Sequence, residues 1–250
     1  VRISMRRNIL PVSFLLALLL SMLHLFLGPT VGSAEQIRAV IPAPQPEAWW
    51  MERHERTVAR IHQGHVDLLF IGDSITQGWE EDGRQVWNAF YQRRHAANLG
   101  YNGDQTDNVL WRLQNGELDG ITPKLAVVMI GTNNATRRED PPHETAAGIQ
   151  AILTTLRTRL PDTKILLLAV FPRGLSADDR LRRINNALNE RLPAMADQRQ
   201  VFFLDLNRRF LDDNGGLPEE IMPDALHPNE HGYRLWAEGM EDVMRKLLDE

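Results

Sequence analysis

Five short apolar runs, separated by stretches with helical spacing, restrict the fold of this chain more than any other feature. They occupy residues 66–71, 96–99, 125–130, 165–171 and 201–206. Most carry no alternation of polar and apolar residues, which is the pattern of strands covered on both faces. Residues 107–118, 144–160 and 178–192, lying between the runs, place apolar side chains three and four apart, the period of a helix. Strands alternating with helices imply a parallel sheet with helices on both sides. Five strands are too few for a barrel of eight. The expectation is one α/β domain, and a chain of 250 residues can bury one substantial core but not two.

Two more helices flank this pattern. Residues 47–62 put Trp50, His54, Val58 and Ile61 on one face, and both Trp49 and Trp50 are expected to be core or cover residues. Residues 230–248 form a stripe of Tyr233, Trp236, Met240, Val243, Met244 and Leu247 that packs a closing helix on the sheet. Residues 35–48 contain Pro42, Pro44 and Pro46 and read as an extended tether, with the folded domain expected from residue 49 to 250. The loop near residues 208–229, with Asn214-Gly215-Gly216, Pro218, Pro223 and Pro228, is too long for a mere connector.

Arg2, Arg6 and Arg7 precede an apolar run from about Leu10 to Leu27, and Gly32-Ser33-Ala34 follow it. Basic, apolar and small residues in that order describe a secretory signal over residues 1–34, which implies a periplasmic or secreted protein. An uncleaved segment acting as a membrane anchor is the alternative, and the one route to membrane association. With no cysteine the chain has no disulfide, thiolate metal site or cysteine nucleophile. Removing residues 1–34 takes away three arginines and no acids, leaving 25 basic and 33 acidic residues and a net charge of −8. Such a surface is a poor partner for nucleic acid. The histidines show no metal-binding spacing, so no metal is expected.

Candidate chemistry gathers at the strand ends. The first run closes on Gly72-Asp73-Ser74, the second on Gly100-Tyr101-Asn102-Gly103-Asp104 and the third on Gly131-Thr132-Asn133-Asn134. Parallel strands end on one edge of the sheet, so these three segments can share a crevice. Asp73 or Ser74 could simply cap the next helix. The chain has only six serines, however: four lie in the leader, and Ser176 opens a polar helix where capping accounts for it. A serine nucleophile would therefore be Ser74. The N–H of Gly103 and the amide of Asn133 are suited to an oxyanion, and Asp224 with His227, three residues apart in the long loop, could supply an oriented base.

Taken as a set, Gly72-Asp73-Ser74, Gly103, Gly131-Thr132-Asn133 and Asp224 with His227 resemble the four sequence blocks of the SGNH, or GDSL-like, hydrolases. Within that superfamily, residues 109–118, Gly131-Thr132-Asn133-Asn134 and Phe171-Pro172-Arg173-Gly174 look like the catalytic subunits of intracellular platelet-activating factor acetylhydrolase. The resemblance spans residues 64–248. It implies a flavodoxin-like three-layer α/β/α domain and ester hydrolysis without a cofactor. Ser74 would be the nucleophile, His227 the base and Asp224 its orienter, with the N–H groups of Ser74 and Gly103 and the Asn133 amide as oxyanion hole.

The resulting expectation is an exported serine esterase that hydrolyses short-chain, acetyl-type esters through an acyl-enzyme on Ser74. Its substrate would be a small-molecule, glycan or lipid ester. A carbohydrate acetylesterase, a lysophospholipase or thioesterase, and a glycan- or lipid-binding protein without turnover are the alternatives. The related subunits dimerise, so the resemblance also admits a homodimer, and their intracellular setting contrasts with the leader.

Overall fold

The structure, a computed structural model, describes Val1 and residues 36–250. The leader read at residues 1–34, with its cleavage point, lies outside the described residues, Val1 apart. Among the described residues no helix is long and apolar enough to cross a membrane.

In chain order the elements are α1 (Ala48–His62), β1 (Leu68–Gly72), α2 (Ser74–Gln77), α3 (Arg84–Phe90), β2 (Ala96–Gly100), α4 (Thr106–Gln114), β3 (Leu125–Met129), α5 (Pro142–Arg159), β4 (Lys164–Leu168), α6 (Arg180–Asn189), β5 (Val201–Leu204) and α7 (Glu230–Leu248). All five apolar runs are strands of one parallel sheet in the order β2-β1-β3-β4-β5. This is the flavodoxin-like order, in which β1 and β3 are neighbours at the point where the winding reverses.

Because successive strand residues face opposite ways, the sheet has two cores. Leu69, Ile71, Ala126 and Val128 pack with residues of α1, α4 and α5, whereas Leu68, Phe70, Val127 and Met129 pack with α3 and α7. The second core is rich in rings: Phe70, Trp79, Tyr91, Tyr233 and Trp236 stack or meet edge to face. The closing helix lays its expected stripe on the sheet, with Tyr233, Trp236, Met240 and Met244 buried. Helices α2 and α3 are too short for their periodicity to stand out in the sequence.

The tether reading needs correction. The compact unit begins at Ile37, and residues 37–47 lie along the domain. Ala39 is fully buried. The Thr106 hydroxyl donates to the Ala39 carbonyl at 2.9 Å, the Asn108 amide to the Ala43 carbonyl at 2.9 Å, and the Gln45 amide to Asp104 Oδ1 at 2.7 Å. Proline does impose extension here, but an extended backbone keeps its carbonyls free for a neighbouring helix, and composition cannot tell a docked strand from a free one. The pairing of Trp49 with Trp50 is corrected too. Adjacent helical residues point about 100° apart, so Trp50 is buried while Trp49 is 39% exposed.

Trp50 also donates its Nε1–H to Asp104 Oδ1 at 2.7 Å. Trp50→Phe keeps most of the ring but leaves this buried carboxylate short of a donor, and should lower unfolding free energy by about 1–3 kcal/mol. Trp49→Phe should change it by less than about 0.5 kcal/mol. Urea midpoints for the two variants decide the matter, and equal losses would contradict the assignment.

Candidate active site

Strand β1 delivers Ser74 through a tight turn. A Cβ at Gly72 would lie 2.2 Å from Thr76 Oγ1 and 2.4 Å from the Met129 carbonyl, so only glycine lets α2 start against the sheet. Asp73 caps α2 by accepting the Ile75 N–H at 3.0 Å. Ser74, the first residue of that helix, does no capping: its Oγ lies 2.9 Å from His227 Nε2. From the other side the Tyr233 hydroxyl donates to the Ile75 carbonyl at 2.7 Å, fastening α2 to α7.

The long loop brings up His227. Asp224 Oδ1 accepts the N–H of Leu226 at 3.0 Å and of His227 at 2.7 Å, which bends residues 224–227 into a turn. Ala225 takes the left-handed conformation, φ 57°, within that turn. The second carboxylate oxygen, Oδ2, sits 2.6 Å from His227 Nδ1. A carboxylate facing Nδ1 holds the proton there, so Nε2 presents its lone pair to the Ser74 hydroxyl. Burial works to raise the Asp224 pKa, but the hydrogen bonds from the His227 backbone and ring outweigh it and hold the carboxyl below its ordinary range. Three side chains separated by up to 153 residues in sequence thus form a continuous relay.

Gly103 and Asn133, the proposed oxyanion donors, are not among the residues that line the cavity at Ser74, but the neighbour of Gly103 is. Asn102 lines the same cavity as Ser74, and its N–H donates to Gln77 Oε1 at 2.8 Å, which ties the Gly103 loop to α2. Gly103 has φ 75°, and a Cβ there would meet the Arg137 guanidinium at 2.1 Å. The Asn133 amide donates one hydrogen to the Asp104 carbonyl at 3.0 Å and caps no helix. Its second N–H has no partner among the described residues, and neither have the N–H groups of Ser74 and Gly103. Asn134, by contrast, is structural: its side chain accepts the Thr106 N–H at 3.1 Å and donates to Asp140 at 2.9 Å.

Several supporting residues carry roles that spacing alone does not disclose. Arg112, fully buried, donates to Asp104 Oδ2 at 2.8 Å, to Glu117, and to the Leu99 carbonyl at 3.2 Å. Arg173 donates to Thr132 Oγ1 at 2.9 Å and Thr136 Oγ1 at 2.6 Å, and the next N–H, of Gly174, reaches the Ala225 carbonyl at 2.8 Å. The Phe171-Pro172-Arg173-Gly174 run therefore stitches the Asn133 loop to the His227 loop. Both arginines stand in runs that the sequence reading singles out, but a long side chain gives no sign of which distant loop it reaches.

The cavity at Ser74 measures about 330 Å³ and is lined by Gln77, Glu81, Asp82, Asn102 and His227 among others. Two amides and three carboxylates line it, together with Pro228 and the Tyr233 ring. Among the described residues no group of His, Asp and Glu is arranged to hold a metal ion.

The family model described as the GDSL-like Lipase/Acylhydrolase family matches residues 70–235. The chain is 36% identical over 204 residues to the human platelet-activating factor acetylhydrolase IB subunit alpha2, covering 80% of this chain and 86% of that protein. Among solved structures, a GDSL-like lipase from Bacteroides thetaiotaomicron superposes with TM-score 0.60 at 21% identity, covering 78% of this chain and 97% of that one. An acetylxylan esterase from Geobacillus stearothermophilus superposes with TM-score 0.56 at 20% identity, covering 72% and 93%. The two superpositions agree with the three-layer fold.

Asp73 carries a large electrostatic anomaly beside Ser74. Burial pushes its carboxyl from 3.8 up to about 7, against the opposing pull of the Ile75 N–H and His227. An acid whose pKa is raised on folding binds its proton more tightly in the folded state, so stability is lost as pH rises from about 4 to about 7. Asp73→Asn keeps an oxygen for the Ile75 cap and removes the titration. Relative to wild type, the variant should gain roughly 2 to 4 kcal/mol between pH 5 and pH 8. Parallel stability curves from urea unfolding over that range would show that Asp73 does not titrate there.

Proposed function

The chain belongs to the GDSL-like lipase/acylhydrolase family, and from that premise we propose that Ser74 attacks a short-chain, acetyl-type ester with His227 as base and Asp224 as its orienter. The observation that carries this reading is the continuous Ser74–His227–Asp224 relay, 2.9 and 2.6 Å long at its two links. His227 takes the serine proton as Oγ bonds to the carbonyl carbon, and the charge that develops on the carbonyl oxygen meets the N–H groups of Ser74 and Gly103 and the free Asn133 amide hydrogen. His227 then gives the proton to the departing alcohol. Water, deprotonated by the same imidazole, releases the acid.

The acyl preference rests on the cavity lining. An acyl chain gains about 0.8 kcal/mol per methylene only where it is buried against apolar surface. Glu81, Asp82, Gln77 and Asn102 offer a long chain little of that, and they suit a small acyl group and a hydrophilic alcohol. The acetylhydrolase relative and the acetylxylan esterase neighbour support the acetyl reading. Export is part of the proposal as well and rests on the basic, apolar and small residues of the 1–34 segment. Intact mass of protein recovered outside the cytoplasm should then begin at Glu35, and a full-length species held in membranes would contradict it.

A fluorophosphonate probe should label the wild type once and Ser74→Ala not at all, and kcat should fall on the order of 10⁶-fold in that variant. On nitrophenyl esters, kcat/KM should be highest for acetate and fall steadily towards octanoate. A rising series would sink the acetyl assignment while leaving the nucleophile intact.

Asn133→Ala separates an oxyanion donor from a mere structural residue. Loss of a donor that acts in the transition state should lower kcat by about 10² to 10³ with KM within a few-fold. Early melting with normal turnover would assign Asn133 to the framework alone.

A further inference from the structure

A cavity larger than the one at Ser74, about 540 Å³, lies between α1 and the 79–88 segment, with the edge strand β2 as its floor. Four arginines line it, Arg53, Arg56 and Arg60 on α1 and Arg84 at the start of α3. Residues 53, 56 and 60 are three and four apart, so they stand on one helix face. Arg53 forms a two-pronged pair with Glu80, at 2.9 and 2.8 Å. The other three have no carboxylate partner among the described residues: Arg60 donates to the Gly64 carbonyl at 2.9 Å, Arg84 to the Glu80 carbonyl at 2.9 and 2.7 Å, and Arg56 to none. Three arginines without an ion-pair partner among the described residues therefore share one concavity with the Arg53–Glu80 pair, on a chain whose overall charge is −5. Like charges three and four apart on a helix destabilise it unless an anion relieves them.

We propose that this groove binds a phosphate-bearing small molecule. Guanidinium groups present planar pairs of N–H donors that match phosphate oxygens, and several of them together suit a multiply charged anion more than a single carboxylate. The volume is in the range of small-molecule sites. Thr57, Asn88 and Asn98 add neutral polar groups to the lining, and half-buried Trp87 gives the ligand's body a flat apolar wall. A recess between two helices admits a free molecule and not the plane of a membrane, so the phosphate is that of a soluble ligand. The groove and the cavity at Ser74 share the 77–84 segment, which Trp79, Glu80 and Arg84 line in the groove and Gln77, Glu81 and Asp82 in the cavity, and Ser74 does not line the groove.

Inorganic pyrophosphate serves as the probe. Calorimetric titration of the purified protein at low ionic strength should give saturable binding to one site, and added sodium chloride should weaken it. Affinity should fall at least tenfold in the double variant Arg56→Gln, Arg60→Gln and again in Arg84→Gln, with fluorophosphonate labelling at Ser74 unchanged. A readout that needs no variant is phenylglyoxal modification of the wild type, mapped by peptide mass: pyrophosphate should protect Arg56, Arg60 and Arg84 and leave exposed Arg199 reactive. Absence of saturable binding, equal protection of Arg199, or unaltered affinity in the folded variants would overturn the proposal. So would binding confined to phosphatidylglycerol vesicles, which would make the arginines a membrane patch.

Discussion

A buried cation, Arg112, holds the Gly103 and Asn133 loops to one geometry. Arg112 has no exposed surface, and moving a guanidinium out of water costs several kcal/mol unless partners surround it. Asp104 and Glu117 supply two carboxylates, equally buried, and the guanidinium also lies 3.8 Å over the Tyr101 ring. Burial lifts the Asp104 carboxyl to about 6, and Arg112 with the Trp50 and Gln45 donors opposes that rise. Each group is tolerable in the core only because the others are present. Neutralising Arg112 would strand two acids, the costly way to break a buried pair.

That arrangement explains how backbone groups from separate strands are held to one geometry. Through Asp104 the cation fixes the loop that carries Gly103, and the Asp104 carbonyl in turn orients the Asn133 amide. Through Leu99 it reads the end of β2. The docked 37–47 segment belongs to the same system, since Gln45 donates to Asp104. Preorganised donors are effective because they need no rearrangement when the oxyanion forms, and a loop fixed from beneath by charge meets that condition. The His227 side is secured by an Asx turn at Asp224 and by the Arg173-Gly174 stitch, whose carbonyls accept from the buried guanidinium of Arg182.

What could be read from the sequence was whatever depends on strand ends. Because Gly72-Asp73-Ser74, Gly103 and Asn133 each follow an apolar run, their shared edge follows from parallel topology alone, and the Asp224 to His227 spacing needed only a turn to become useful. What stayed hidden depends on partners distant in the chain. Asp104 and Arg112 are eight residues apart across a loop and a helix start, a spacing with no fixed geometry. Residues 37–47 look like a tether because proline reports local extension and says nothing of the helix that accepts it. Tyr233 reads as one more apolar stripe residue, although its hydroxyl fastens the helix that opens with Ser74.

The central claim, that three loops are fixed so that their donors converge on one oxygen, is tested most directly by a crystal structure of the enzyme phosphonylated with a fluorophosphonate. The account predicts phosphorus on Ser74 Oγ and one phosphonyl oxygen about 3 Å from each of three donors: the Ser74 N–H, the Gly103 N–H and Asn133 Nδ2. Asn133 should still donate to the Asp104 carbonyl in that adduct. An Asn133 amide turned away from the phosphonyl oxygen, or a Gly103 N–H pointing elsewhere, would contradict it.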